Sequence, residues 1–478
     1  MITGSEMAVV DANAEALGVP QKQLMESSGN AVARAVRDAA EPGDAVTIVA
    51  GRGNNGGDAF VAARFLDEFD VSVLLLGRAE SITTEIAQEN WEALHAAEYN
   101  CREIRDSTAV ELGEPAVIVD AMLGTGISGE LREPEAMAAE AINTSDATVV
   151  AVDVPSGLDA ERGELAPNAV DADQVVTFHE TKPGLDDLDC RVTVADIGIP
   201  NAATSFVERG DLLRLSRDPE SHKGDHGEVL VIGGGPYAGA PALAAQAALR
   251  AGADLVRVTC PTAVANEVQG YSENLILRPM QGREFEPGHV GPVMEFAREH
   301  DVLIIGPGLG DSEGTLDAAE AIIESYDGTA VIDADALQVV PNVDTEATLI
   351  CTPHQGEFVT MGGRQSADWR ERRTFVESFA SDLDQTLLVK GRYDVISSGA
   401  RTRVNRTGNP GMTVGGTGDV LAGVTGALAA QLEPFHAASL AAYVTGRAGD
   451  IAAETTGNGL VATDLIDRIP DAMDGPSA

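Results

Sequence analysis

The sequence predicts two α/β domains in tandem, the first built on a doubly wound parallel sheet, and three observations carry that expectation. Short apolar runs rich in β-branched residues alternate with helical patterns along the chain. The runs are continuous rather than alternating in polarity, as strands buried on both faces of a parallel sheet are. The alternation lapses in a polar stretch, residues 201–227, and starts afresh beyond it. At roughly 100–200 residues per domain, a chain of 478 residues has material for more than one core.

In the first half, helical patterns near 5–17 and 20–40 precede the first apolar run, AVTIVAG at 45–51. The next runs are VSVLLLG at 71–77, AVIVDAMLG at 116–124 and TVVAVDVPSG at 148–157. Between them DAFVAARFLDEF (58–69), a stretch around 83–97 and PEAMAAEAI (134–142) read as helices. Strand–helix alternation with short links places ligands at the C-terminal ends of the strands. In the second half, strands are expected at EVLVIGGG (228–235), DLVRVTC (254–260), DVLIIGPG (301–308), TAVIDADAL (329–337), TLICTP (348–353) and TLLVKG (386–391). PALAAQAALRAG (241–252) is helical, and Ala-rich helices starting at Gly418 and near Pro434 close the chain. The boundary is placed near 212–222, giving domains at 1–215 and 220–475. The halves share a class but no motifs, which favours a fusion of two enzymes over a duplication.

Asp and Glu number 76 against 32 Lys and Arg, a formal net charge of -44. That balance excludes a nucleic-acid binder that neutralises phosphates and a polybasic membrane-surface protein. A hydrophobic content of 44% separates the chain from disordered acidic sequences, which lack the apolar residues to offset ordering entropy. Lysine occurs only at Lys22, Lys182, Lys223 and Lys390. Many carboxylates with almost no lysine resemble the proteins of salt-accumulating archaea. The cysteines Cys101, Cys190, Cys260 and Cys351 are widely spaced and lack metal-ligand spacing, as in a reducing compartment. The first residues carry acid where a signal peptide has a basic region, and no stretch approaches 18 apolar residues, so a soluble cytoplasmic protein is expected.

After the first strand run comes Gly51-Arg52-Gly53-Asn54-Asn55-Gly56-Gly57-Asp58, then a helix. Glycines let the backbone approach a ligand closely, and the helix start that follows offers unpaired N–H groups to an anion. The segment also fits a plain tight turn, but a turn has no need of paired Asn side chains with both amide donors and carbonyl acceptors. Asp120 opens a second Gly-rich turn that runs to Glu130, and Asp153-Val-Pro-Ser156-Gly157 follows the next strand. Each Asp also suits a cap or a turn. Asn55, Asp120 and Ser156 at adjacent strand ends supply hard oxygens that suit a cation such as K+, with Asp153 left as an acid–base group.

GRGNNGGD, VDAMLGTGISGE, VDVPSGLDA and VTFHETKPGL resemble, in that order, the N-terminal domain of the NAD(P)H-hydrate epimerases, over about residues 1–215. The resemblance implies a Rossmann-like domain. It implies that Asn54, Asn55, Gly56, Gly57 and Asp58 hold the hydrated nicotinamide dinucleotide, together with Gly124, Thr125, Gly126, Ile127, Ser128, Gly129, Glu130 and Asp153. It also implies a K+ site at Asn55, Asp120 and Ser156. Two residues depart from the pattern, Arg52 where Pro is frequent and Ala59 where Gly is usual.

In the second half, Gly408-Asn-Pro-Gly411-Met-Thr-Val-Gly415-Gly416-Thr417-Gly418-Asp419 leads into the helix VLAGVTGALAAQL. Consecutive glycines at a helix start form an anion-cradling nest, and the Asp is placed to act on a group beside a bound phosphate. Asp419 also suits a structural N-cap. His354 lies in TPHQGE just beyond a strand, Lys390-Gly-Arg-Tyr-Asp394 follows another, and Asp333-Ala-Asp335 ends a third. A lysine retained where surface lysines are scarce points to work that Arg does less well, such as point-charge contact with phosphate.

HKGDHGEVLVIGGG, IGPGLG, DADAL, TPHQGEF, VKGRYDVI and NPGMTVGGTGD resemble the ADP- or ATP-dependent NAD(P)H-hydrate dehydratases, of ribokinase-like α/β fold, over nearly all of 220–470. The resemblance implies that Ala240, Gly308, His354 and Asp419 contact the hydrated dinucleotide. It assigns Lys390, Gly391, Arg392, Tyr393 and Asp394 to the adenine nucleotide. The same role falls to Asn409, Pro410, Gly411, Met412, Thr413 and Val414, and to Gly415, Gly416, Thr417 and Gly418.

Together the two resemblances imply an isomerase fused to a lyase that repairs hydrated NADH and NADPH. Asp153 handles protons in the first domain, Asp419 is catalytic in the second, ADP or ATP is the co-substrate, and Mg2+ accompanies it. The rival is a small-molecule kinase fused to a noncatalytic dimerisation module. A homo-oligomer without nucleic-acid or membrane partners is expected. The acid excess generates one prediction. Molar KCl shortens the Debye length to about 3 Å and screens self-repulsion, so thermal melts should show the fold loosening as KCl is withdrawn. An unchanged melting temperature in salt-free buffer would refute that expectation.

Overall fold

In the computed structural model, residues 1–126 and 129–475 are described. They divide into two units, Met1–Ala203 and a second from Thr204 onward. Ile127 and Ser128, both expected at the first site, lie outside the described residues.

Unit 1 runs α1 (Gly4–Ala16), α2 (Gln21–Ala39), β1 (Ala45–Ala50), α3 (Asn54–Arg64), β2 (Asp70–Leu76), α4 (Glu85–Ala96) and β3 (Asn100–Ile104). It continues with β4 (Val117–Ala121), α5 (Glu135–Asn143), β5 (Thr148–Val152), β6 (Gln174–Phe178) and β7 (Arg191–Ala195). The strands form one sheet in the order β3-β2-β1-β4-β5-β6-β7, every pair parallel. Both faces are covered, as continuous apolar strands require. Val46 and Ile48 of β1 pack with Phe60 of α3 and Trp91 of α4. Val49 faces the other way, into a cluster with Leu74, Ile118 and Ile142 of α5. The chain winds outward in opposite directions from β1 and from β4, so the crevice opens between their C-terminal ends.

That crevice depends on a close backbone approach. A Cβ added to Gly51, just after β1, would lie 1.8 Å from the carbonyl oxygen of Met122, just after β4. Only glycine lets the two strand ends come this near.

In unit 2, α6 (Ala202–Ser205) spans the division and is followed by β8 (Glu228–Ile232), α7 (Gly239–Arg250), β9 (Leu255–Thr259), α8 (Ala265–Gly270) and β10 (Ile276–Leu277). Then come α9 (Val290–Ala297), β11 (Val302–Ile305), α10 (Glu313–Ser325), β12 (Thr329–Ile332), β13 (Thr348–Cys351), α11 (Gln355–Thr360) and α12 (Trp369–Leu383). The unit ends with β14 (Thr386–Val389), β15 (Asp394–Ser397), β16 (Thr402–Asn405), α13 (Thr417–Ala429), α14 (Pro434–Thr456) and α15 (Ala462–Ala472). The sheet order is β10-β9-β8-β11-β12-β13-β14-β15-β16. Its pairs are parallel except β14 with β15 and β15 with β16. The close approach recurs here: a Cβ on Gly306, after β11, would lie 1.8 Å from the carbonyl oxygen of Asp333, after β12.

The fold class is the one predicted, two α/β units with a doubly wound sheet in the first; the second sheet also reverses its winding, between β8 and β11, and antiparallel strands close one of its edges. Six strands (β3, β6, β7, β10, β15 and β16) stand outside the apolar runs. β3 and β7 are sheet edges whose residues are largely exposed or half-buried, so their sequences, NCREI and RVTVA, carry less apolar signal. The expected runs also overreach: TVVAVDVPSG is strand only through Val152, and its tail is loop.

Gly51→Ala tests the close approach. The obstructing atom is backbone and cannot rotate aside, so the variant should lose about 1–3 kcal/mol or more, read by urea unfolding in KCl. Gly126→Ala, whose Cβ would meet nothing within 4 Å, is the control and should unfold like wild type.

Candidate active sites

A cleft of about 590 Å³ opens in unit 1 at the C-terminal ends of β1 and β4, roofed by α1 and α2. The Asn-Gly turn after β1 becomes the start of α3, with Gly53 at the cap position and no side chain bonded to the first N–H groups. Those donors are left for an anion. Asn54, Asn55 and Asp58 line the cleft, as do Gly124, Thr125, Gly126 and Asp153. Gly56 and Gly57 are buried beneath it and serve packing: a Cβ on Gly56 would strike the Gly51 carbonyl oxygen at 2.2 Å, and one on Gly57 the Met25 side chain. Gly129 and Glu130 are exposed and outside the lining.

Asn55, Asp120 and Ser156 converge on one segment of backbone. Asn55 Nδ2 donates to the Leu123 carbonyl (2.9 Å), while Leu123 N–H donates to Ser156 Oγ (3.0 Å). Ser156 donates from N (2.8 Å) and Oγ (2.7 Å) to the Asp120 carboxylate, and Met122 N donates to it at 3.2 Å. Burial pushes the Asp120 carboxyl up to about 6, against the donors from Ser156 and Met122. Asp120 and Ser156 sit behind Met122 and Leu123 rather than in the lining.

Asp153 follows β5 with φ +64, a left-handed conformation uncommon for a residue with a side chain. Its Oδ1 accepts from Lys182 Nζ (2.5 Å), Thr177 Oγ1 (3.0 Å) and Phe178 N (3.4 Å). Asp153 is thus held by an ammonium. Lys182 is 1% exposed and also donates to Thr177 Oγ1 (2.9 Å) and the Phe178 carbonyl (3.0 Å), so all the protons of its Nζ are engaged. Two further carboxyls share its field. Burial, with Asp153 adding and Lys182 opposing, pushes Asp11 on α1 up to about 7. Burial, with Asp153 and Asp11 adding, holds Asp58 well above the carboxylate range.

In unit 2, Gly416, φ +94, stands at the cap position before α13, with no side-chain cap on the helix's first N–H groups. The preceding loop is braced from within. Asn409 Oδ1 accepts from Gly411 N and its Nδ2 donates to Asp450, while Thr417 Oγ1 donates to the carbonyls of Met412 and Val414. Pro410, Met412 and Thr413 lie in one 3-10 turn, whereas Gly415 is exposed and Gly418 half-buried. Lys390 reaches this helix start: its Nζ lies 3.3 Å from where a Cβ on Gly418 would be. It donates to Asp333 Oδ1 at 2.9 Å, with Glu357 Oε2 at 3.9 Å, and Thr352 Oγ1 donates to the same Asp333 oxygen. Burial opposes the Lys390 charge, but Asp333, Glu357 and Asp419 outweigh it and hold its pKa up. Burial, with Asp333 adding and Lys390 opposing, pushes Asp419 up to about 7.

The other expected residues divide. Ala240 and Gly308 are neighbours, the Ala240 Cβ lying 3.2 Å from a Cβ placed on Gly308. His354 caps α11, its Nδ1 accepting from Glu357 N (2.9 Å) while Glu357 accepts from His354 N (2.7 Å), and its side chain is 60% exposed. Gly391 and Arg392 are exposed, and Tyr393 stacks near Trp369 at 5.4 Å. Asp394 turns inward, accepting from Gly391 N and Asn405 Nδ2, and burial pushes its carboxyl up to about 6.

Comparison with known proteins follows this division of the chain. The family described as NAD(P)H-hydrate dehydratase matches residues 229–471, and the one described as YjeF-related protein N-terminus matches residues 21–184. The bifunctional NAD(P)H-hydrate repair enzyme Nnr of Methanothermobacter thermautotrophicus is 45% identical, covering 98% of this chain and 94% of its own. That of Archaeoglobus fulgidus is 42% identical, covering 99% and 98%. The chain belongs to the bifunctional NAD(P)H-hydrate repair enzyme family. Among solved structures, a ribokinase-like superfamily protein of Enterococcus faecalis V583 shares the fold at TM-score 0.50 and 23% identity, over 56% of this chain and 95% of that one.

Asp11 has no site role in the sequence reading, whereas Lys182 stands out there as a scarce loop lysine and Asp333 as a strand-end residue suited either to orienting a substrate or to capping a turn. Asp11 carried no signal, because the α1 sequence has no apolar stripe from which to read its inner face. No helix among the described residues is long and apolar enough to cross a membrane.

The raised Asp419 carboxyl generates a prediction. A carboxyl harder to ionise in the fold than in the unfolded chain costs stability only once ionised. The cost is absent below its unfolded value of 3.8 and complete above about 7. Asp419→Asn should therefore match wild type in urea unfolding at acid pH and exceed it by roughly 1–4 kcal/mol at pH 8. Equal stability at both pH values would show that the fold does not oppose this charge.

Proposed function

We propose that unit 1 interconverts the R and S epimers of hydrated NADH and NADPH, and that unit 2 dehydrates the S epimer at the expense of ADP or ATP. The observation that carries this reading is the near full-length match to bifunctional repair enzymes, joined to one charged cluster at the strand ends of each unit.

In unit 1, the N–H groups at the start of α3 and the glycine turn Gly124–Gly126 bind the dinucleotide, and Asp153 exchanges the proton of the substrate hydroxyl. Asn55, Asp120 and Ser156 hold K+. Supporting this, Asp120 is a fully buried carboxylate whose titration is raised by burial, and a cation would supply its countercharge beside amide and hydroxyl oxygens. In unit 2, the nest from Asn409 to Gly418 and Lys390 receive the nucleotide phosphates. Mg2+ accompanies those phosphates, a cation usually held by substrate phosphates with one or two carboxylates.

A hydroxyl is a poor leaving group. Phosphoryl transfer to the substrate oxygen followed by elimination removes it, with Asp419 accepting the hydroxyl proton and the helix-start amides stabilising the transferred charge. His354, Ala240 and Gly308 shape the dinucleotide side. A reducing cytoplasm, high internal salt and homo-oligomeric assembly belong to the same reading. The four free cysteines support the first and the carboxylate excess the second, while assembly rests on the resemblance.

The test is incubation of separated epimers with ADP or ATP and Mg2+ in molar KCl, following the return of NADH absorbance. Asp419→Ala should abolish S-epimer conversion and leave epimerisation intact. Asp153→Ala should slow R-epimer use by about 10²–10⁴-fold and spare the S epimer. S-epimer dehydration should rise with pH through about 7, as Asp419 ionises. A stable phosphorylated product without NADH would instead indicate a kinase.

A further inference from the structure

Interconverting two epimers sets a demand that one proton-exchanging group does not meet. Hydration places the hydroxyl on the ring carbon bonded to the ring nitrogen. Inversion by loss and return of water breaks the C–O bond on one face of that carbon and forms it on the other. Leaving hydroxide needs a proton, and incoming water must lose one. The unit 1 cleft holds Asp153, pinned by Lys182, as one such group.

Asp11 has the attributes of the other. It lines the same cleft, projecting from α1 rather than from the β5 end. Its Oδ1 is shielded from solvent and has no hydrogen-bond partner among the described residues, an arrangement proteins rarely leave without purpose. Asp58 is less suited: it is more deeply buried and bonded to Ser28. We propose that Asp11 is a second catalytic residue of the unit 1 site, exchanging the proton of the substrate hydroxyl in partnership with Asp153. This rests on the epimerase reading of unit 1.

The step balances as follows. Protonated Asp11 gives its proton to the hydroxyl, the C–O pair leaves with oxygen as water, and the nitrogen lone pair forms the iminium bond. Water then adds to the opposite face, the iminium pair returns to nitrogen, and the proton shed by that water goes to Asp153. The reverse direction exchanges the two roles, and solvent restores the protons between turnovers. The charged groups sharing Asp11's environment suit an acid. Lys182 and Asp153 act on it in opposite senses, Asp58 adds a further carboxyl, and α2 presents Gln21, Leu24, Met25 and Ser28, none of them charged. With its carboxyl near 7, Asp11 is available in both protonation states at neutral pH.

The test uses the full chain in molar KCl with ADP, comparing R- and S-epimer substrates. Asp11→Asn should lower kcat on the R epimer by about 10²-fold or more, with KM changed less than about threefold and S-epimer dehydration unaltered. Once the pH profile of S-epimer dehydration is divided out, wild-type R-epimer turnover should fall as pH rises through about 7. Asp11→Asn should lose that limb and Asp11→Glu should keep it, even if the Asn variant proves unstable. R-epimer turnover within about threefold of wild type in Asp11→Asn, or a uniform loss that retains the limb, would overturn the proposal. A wild-type chain that converts S but never R would instead overturn the epimerase reading, and this proposal with it.

Discussion

Lys182 places a full positive charge where almost no water reaches it, and the chemistry of unit 1 is arranged around that charge. A buried ammonium is tolerable only with its protons bonded and a countercharge beside it. Asp153, Thr177 and the Phe178 carbonyl meet the requirement, and Asp153 does so from the left-handed conformation that follows β5. With that pair in place, Asp11 and Asp58 enter a field in which one carboxylate already answers the ammonium, and burial keeps their protons on to higher pH. Unit 2 repeats the scheme with Lys390 between Asp333 and Glu357, and Asp419 takes the corresponding place as the carboxyl that ionises late. In a chain of net charge -44, each site is therefore a small acid cluster organised by a single lysine.

The backbone makes both clusters possible by the same device. Glycine after β1 in unit 1 and after β11 in unit 2 lets a carbonyl from the neighbouring strand end come within the space a methyl would fill. That contact brings the loop after β4 against Asn55, and it sets Asp333 at the end of β12 within reach of Lys390. Uncapped helix starts at α3 and α13 then face the space so formed, offering N–H groups to anionic ligands without any surface cation. An acidic protein can bind polyphosphates in this way because the attraction is local and the repulsion, spread over the surface, is screened by salt.

Much of this was legible in advance. The central strands were, because they are buried on both faces and so read as unbroken apolar runs. β6, though buried throughout, was not: QVVTF begins on a polar residue and follows a long irregular loop. The edge strands β3 and β7 and the four-residue strands β15 and β16 carry too few apolar residues to stand out. At the sites, Asn55, Asp120, Ser156 and Asp419 could be singled out because strand-end loops announce themselves with glycine. Gly56 and Gly57 belong to the same motif and are buried with no room for a Cβ, a packing demand the motif does not reveal. Asp394, taken with Lys390 as one loop, opens β15 and turns inward to its cross-strand partner Asn405 on β16, a pairing that loop spacing does not show.

By itself the sequence determined the class of the fold, the position of the glycine turns, and the family, since these depend on local periodicity and on short unbroken motifs. Only the tertiary structure decided which ionisable groups share a field. Asp11 on the first helix, Asp153 after the fifth strand and Lys182 after the sixth meet in one cleft. The reason is physical: desolvation and Coulomb interaction depend on distance through space and on the exclusion of water, and neither is written in the spacing of residues along a chain.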